Sequence, residues 1–184
     1  MAKFEPAFEK TMEFEGVYDN DHDDPGGETV YGLNRRSDPA WPGWIDVDRI
    51  PPSNRGRVIS KTPAIRKSAM DHYRQTYWRY VHGDTVADQA IAEKYFDCAV
   101  NAGIGHAAKW LQTGLNSACE AGLEVDGIDG QKTQAAAAII RDPAINARIL
   151  HSIRLQQKAY YMAIVANRPV MCKYLTGWLR RAAS

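Results

Sequence analysis

The chain has 184 residues, 45% of them hydrophobic and 24% charged, with a net charge of +1, a composition that supports a folded core and excludes the disordered class. No run approaches the roughly 18 apolar residues of a membrane span, and the start, Met1-Ala2-Lys3-Phe4-Glu5-Pro6, carries no secretory apolar stretch, which makes the cytoplasm the expected place of synthesis. Charge is uneven: residues 1–48 hold 12 acids against 4 bases and residues 49–184 hold 19 bases against 10 acids, so the basic remainder either faces an anionic partner or is a solvated helical surface.

In chain order, Phe4, Phe8, Met12 and Glu15 fall on one helical stripe and Gly16 follows as a capping glycine, which predicts that Glu15 ends a helix on its apolar side. From Val17 to about Ser60 the chain turns to Asp, Pro, Gly and Asn, with one strand-like stretch, Glu28 to Leu33, read as a local hairpin, and a Trp41-Pro42-Gly43-Trp44 loop. Thr62-Pro63 then opens a helix with Ile65, Ala69, Tyr73, Tyr77 and Tyr80 inward, ending at Gly83. Further helices are expected over about 85–102, 107–121, 131–141 and 144–166, and a last one places Tyr174, Leu175, Trp178 and Leu179 on one face. The expected fold is mostly α, of the α+β kind, with one small hairpin. Residues 1–90 carry the loop chemistry, and residues 91–184 form a helical half expected to join it in one globule. Cys98, Cys119 and Cys172 are odd in number and lie among apolar residues, which points to reduced core thiols rather than a disulfide framework.

The chemistry concentrates in residues 14–33. A glycosidic oxygen leaves poorly unless it is protonated, so cleaving it needs a carboxyl that keeps its proton, beside a site that stabilises positive charge on the sugar. Phe8, Met12, Phe14 and the negative end of its own helix would favour the proton on Glu15. Asp24, nine residues on, would orient a water or stabilise the transition state, or else simply form the turn before Pro25. Thr29 would hold that water by its hydroxyl, or else be an ordinary β-branched strand residue. Gly26 and Gly27 allow a sharp turn and a close approach of sugar to backbone. Tyr18 and Tyr31 would stack on sugar rings or pack under the hairpin. Asn101 would bond an N-acetyl group or cap its helix.

Metal readings fail. A calcium loop starting at Asp19 would need Gly sixth and Glu twelfth, where Asp24 and Val30 stand. There is no His-Glu-Xaa-Xaa-His pattern, so neither metal nor organic cofactor is called for. The tyrosines of 73–80 have the spacing of a core face rather than of a nucleic-acid platform, and no nucleic-acid partner or membrane insertion is expected.

Glu15-Gly16-Val17-Tyr18, followed at this spacing by Asp24-Pro25-Gly26-Gly27, Thr29 and Gly32-Leu33, resembles the signature of glycoside hydrolase family 108, lysozyme-like N-acetylmuramidases of bacteria and their phages. The stretches Phe96 to Gly103, Ala107 to Gln112, Asp126 to Thr133 and Gly177 to Arg181 resemble the predicted peptidoglycan-binding region that follows in this family. Two positions depart from it: Val17 stands where the motif usually has a second glycine, and Gln131 where a proline often follows the Asp-Gly turn. The resemblance implies a lysozyme-like fold, Glu15 as the essential acid, echoes of a Glu, Asp and Thr set in Asp24 and Thr29, and peptidoglycan as partner. It further implies hydrolysis of the bond between N-acetylmuramic acid and N-acetylglucosamine in the wall after release, as by a phage or prophage endolysin, or after unusual export. Two rivals stay open: a lytic transglycosylase, which forms a 1,6-anhydro sugar without water, and a non-catalytic wall-binding protein.

Overall fold

A computed structural model of the chain describes residues 1–20 and 27–184. The chain forms two compact units, residues 8–76, and residues 77–184 together with 1–7.

Helix α1 (Phe4–Met12) forms where Phe4, Ala7, Phe8 and Thr11 recur at helical spacing, and all four are buried. Beyond Met12 the turns tighten: the Phe14 N–H donates to the Thr11 carbonyl at 3.1 Å and the Glu15 N–H to the Met12 carbonyl at 3.2 Å. Glu15 therefore sits in a 3₁₀-type turn past the helix rather than at its end. Gly16 is not among the left-handed glycines, so the tightened turn, not a glycine cap, terminates the element.

In residues 8–76 the strand-like stretch proves to be a hairpin in itself. Strands β1 (Tyr18–Asp19), β2 (Thr29–Val30) and β3 (Leu33–Asn34) form an antiparallel sheet in that order. Tyr18 faces Val30, and Val30 faces Leu33. The β2–β3 turn is Tyr31-Gly32, with φ of 48° and 80°, the doubly left-handed geometry that a two-residue hairpin turn requires. Helices α2 (Trp44–Asp48) and α3 (Arg55–Ile59) flank a 3₁₀ turn at Pro52–Asn54. Five residues each is too short for a 3.6-residue period to show. Helix α4 (Pro63–Tyr73) buries Ile65, Ala69 and Tyr73.

A π-helical turn, Arg74–Trp78, follows α4. Its wider winding shifts the inward stripe, so Trp78 is buried while Tyr80, expected inside, is 64% exposed.

In the second unit, α5 (Gln89–Ala102) starts at Asp88, whose carboxylate accepts from the Ile91 N–H at 2.9 Å. Only Gly103, at φ 91°, separates α5 from α6 (Ile104–Cys119). Helix α7 (Gln131–Ile139) precedes α8 (Pro143–Asn167), which begins with an Asp142 cap and a first-turn proline. A 3₁₀ turn, Pro169–Tyr174, leads to α9 (Leu175–Ala183). A methyl on Gly114 would come within 3.3 Å of the Ile149 carbonyl oxygen and side chain, so this glycine lets α8 close on α6. Phe4, Trp78 and Phe96 form a triangle of rings with centroids 5.6–5.8 Å apart.

Three buried charges pin the last helix. Lys94 Nζ donates to the Arg181 carbonyl at 2.7 Å, and Arg181 Nε donates to Asp97 Oδ1 at 2.9 Å. The cysteines divide by depth: Cys98 is buried, Cys119 half-buried and Cys172 exposed, so only the first is the core thiol that the helical pattern suggested for all three. Burial pushes the Cys98 thiol up, leaving it protonated. Asp97→Ala would leave Lys94 and Arg181 buried without their carboxylate; urea unfolding should show a loss of about 3–5 kcal/mol, as a lower midpoint at unchanged slope.

Candidate active site

The carboxyl of Glu15 is placed by what is missing at residue 32. A methyl added to Gly32 would lie 2.6 Å from the Tyr73 hydroxyl oxygen and 2.9 Å from Glu15 Oε2. The phenol and the carboxyl thus converge on one point above the hairpin turn, in room that only glycine leaves. Tyr73 is buried on α4, edge-on to Phe8 at 5.7 Å, and its hydroxyl donates to the Tyr31 carbonyl at 3.0 Å. Glu15 itself is half-buried.

Tyr31 is 6% exposed, and its hydroxyl donates to the Ile59 carbonyl at 3.4 Å. Its ring is packed under the turn rather than presented to solvent. A left-handed φ on a bulky residue is strained, and the bond from Tyr73 to its carbonyl helps to hold it.

Thr29 begins β2. Its hydroxyl donates to the Gly27 carbonyl at 3.2 Å and accepts from Asn34 Nδ2 at 3.2 Å, which leaves one lone pair able to accept from a water. Gly27, at φ 73°, takes the turn conformation for which the sequence singled it out. Tyr18 on β1 is half-buried and donates to Glu28 Oε1 at 3.1 Å. Burial, and next that carboxylate, push its hydroxyl up. Asp24 and Gly26 lie outside the described residues. Asn101 belongs to the other unit, at the end of α5, where its Oδ1 accepts from the Tyr161 hydroxyl.

The sequence did not single out Glu28, Gly32 or Tyr73 for the chemistry. Glu28 is 8% exposed, and Arg35 Nε and Arg55 Nη1 donate to its two oxygens at 2.8 and 2.6 Å. Arg35 also pairs with Asp48 at 2.7 Å, holding that carboxyl below its ordinary range, and its guanidinium lies 4.1 Å from the Trp44 ring centroid. The available signal was alternating charge, Glu28, Arg35, Asp48 and Arg55, in a stretch otherwise made of turns. Among the described residues no three His, Cys, Asp or Glu side chains gather as a metal site.

The arrangement has the parts of a general acid: a half-buried carboxyl on a tight turn, a phenol oxygen beside it, and a hairpin whose Thr29 can hold a water. The description "Glycosyl hydrolase 108" matches residues 8–103, and "Predicted Peptidoglycan domain" matches residues 106–183. Among solved structures, SagA of Brucella abortus is similar, at 24% identity and a TM-score of 0.67, over 98% of this chain and 89% of that one. No curated protein matches the chain. Gly32→Ala should lower unfolding free energy by about 1–2 kcal/mol. Displacing the Glu15 carboxyl should also cut turnover on wall glycan roughly tenfold to a hundredfold, in a protein whose circular dichroism is unchanged.

Proposed function

The chain belongs to the glycosyl hydrolase 108 family and is a glycoside hydrolase that degrades peptidoglycan; we propose that it cuts the β-1,4 bond between N-acetylmuramic acid and N-acetylglucosamine, with Glu15 as the acid. The observation that carries this reading is that the Glu15 carboxyl and the Tyr73 hydroxyl both border the space over Gly32. A glycosidic oxygen entering the space over Gly32 would meet the carboxyl that has to protonate it.

In this mechanism Glu15 delivers its proton to the leaving oxygen as positive charge grows on the muramic acid ring. A water, held by the Thr29 lone pair and by the Asp24 carboxylate, attacks the anomeric carbon from the opposite face. Asp24 takes up the proton that this water releases. Gly26 and Gly27 keep the approach clear of side chains, and Tyr18, anchored on Glu28, borders the sugar. About residues 1–90 carry the chemistry and about 91–184 grip the polymer, Asn101 included. The substrate lies outside the inner membrane, so the enzyme acts after release or export.

Glu15→Gln, folded like the parent, should lower release of reducing sugar from purified peptidoglycan by about 100-fold to 10,000-fold; release at the parent rate would remove Glu15 from the chemistry. Mass spectrometry of the new ends should find reducing muramic acid; 1,6-anhydro ends would instead make the enzyme a lytic transglycosylase. With a single displacement by water, proton NMR of the first product should show the α-anomer, whereas a β-anomer would require a covalent intermediate.

A further inference from the structure

A second concave surface lies far along the sequence from Glu15, between the end of α8, the 3₁₀ turn and α9. It is a groove of about 560 Å³ lined by Tyr160, Ile164, Asn167, Arg168, Met171 and Trp178, with Ala163. Its volume is that of a small-ligand site rather than of a packing defect.

The aromatic wall is built in depth. Trp178 stacks on the buried Tyr161 at 5.2 Å with 21° between the planes, and the Tyr174 ring lies 5.8 Å from that of Trp178 at 30°. Tyr160 is wedged against Trp110 at 5.6 Å and His106 at 4.9 Å. Such bracing fixes the orientation of both half-exposed rings, Tyr160 and Trp178, where they line the groove. Fixed rings lose little entropy on binding a flat, apolar sugar face.

The polar rim is free. Asn167 and Arg168 are exposed, and among the described residues neither side chain has a hydrogen-bond partner. The charge of the region has one sign: residues 143–184 hold seven Lys or Arg and no Asp or Glu. Only Arg181 of these is neutralised by a buried carboxylate, that of Asp97. A groove with ring walls, one amide and an exposed guanidinium, in a stretch of chain that carries no acid, is complementary to a ligand that is part sugar and part anion.

We propose that this groove binds the peptide-bearing N-acetyl sugar of the wall glycan, with its ring against Trp178 and Tyr160, its acetamido group on Asn167 and a carboxylate of its stem peptide on Arg168. The proposal rests on the peptidoglycan reading above and gives the grip on the polymer a location distinct from the cleaving residues.

The test is co-sedimentation of the full chain with purified sacculi in the cold, alongside titration with a soluble muramoyl dipeptide and with N-acetylglucosamine followed by tryptophan fluorescence. The exposed Arg168→Glu should weaken sacculus binding about tenfold, the scale of a lost charge-assisted hydrogen bond. Trp178→Ala should do the same, but α9 packs through this residue, so Arg168→Glu decides the matter alone if the tryptophan variant unfolds. The parent should prefer the muramoyl peptide to N-acetylglucosamine, which carries no carboxylate. Arg168→Glu sedimenting like the parent overturns the proposal, as does a parent that binds anionic phospholipid vesicles in preference to sacculi. If the parent releases sugar from sacculi while the variant binds undiminished, only the groove assignment falls. If the parent neither binds nor cleaves, the peptidoglycan reading fails and takes the groove with it.

Discussion

Arg35 and Arg55 reach the buried Glu28 carboxylate from two different elements, and Tyr18 reaches it from a third. Taking three charges out of water contributes little net stability, because desolvation offsets most of the Coulomb attraction. What the cluster contributes is uniqueness. It ties β1, the residue entering β2, the exit of β3 and helix α3 to one pair of oxygen atoms, so strands of two residues each cannot slip. The hairpin turn then has one position, Gly32 lies under Glu15, and a carboxyl on a short turn acquires a defined neighbour. The small sheet is too short to be held by its own ladder.

The helices were legible because burial repeats on them. Ile91, Tyr95, Cys98 and Ala99 on α5, and Trp110, Leu111, Leu115 and Ala118 on α6, are buried at three- and four-residue spacing. The errors fall where periodicity carries no information. Two-residue strands and five-residue helices are shorter than the period that would reveal them. The π turn after α4 changes the period in mid-run, which is why Tyr80 is outside and Trp78 inside. The stretch 14–33 was legible as chemistry from residue types and spacing, but not as geometry. Nothing in the sequence shows that Tyr73, forty-one residues beyond Gly32, brings its hydroxyl to the same point as Glu15, because that depends on a tertiary approach of α4 to the turn.

The two units solve different electrostatic problems. Both units bury charge in paired form, Glu28 with Arg35 and Arg55 in one and Asp97 with Lys94 and Arg181 in the other, but near Glu15 the surface is shaped by backbone turns and glycine. In the other unit, helices α8 and α9 display cations with no acid in the same stretch of chain. A wall polymer rich in carboxylates would be drawn to such a surface at a rate that falls with added salt.

The depth of the three thiols has a consequence for where such a protein can work. Cys98, sealed in the core with its proton retained, presents no thiolate to an oxidant. The Cys119 thiol donates a hydrogen bond to the Leu115 carbonyl and is only partly covered. Cys172 stands in the open on the 3₁₀ turn between α8 and α9. In an oxidising compartment the sulfur chemistry of this chain would begin there, at the edge of the basic face, where a mixed disulfide adds bulk at the surface and leaves the core packing intact.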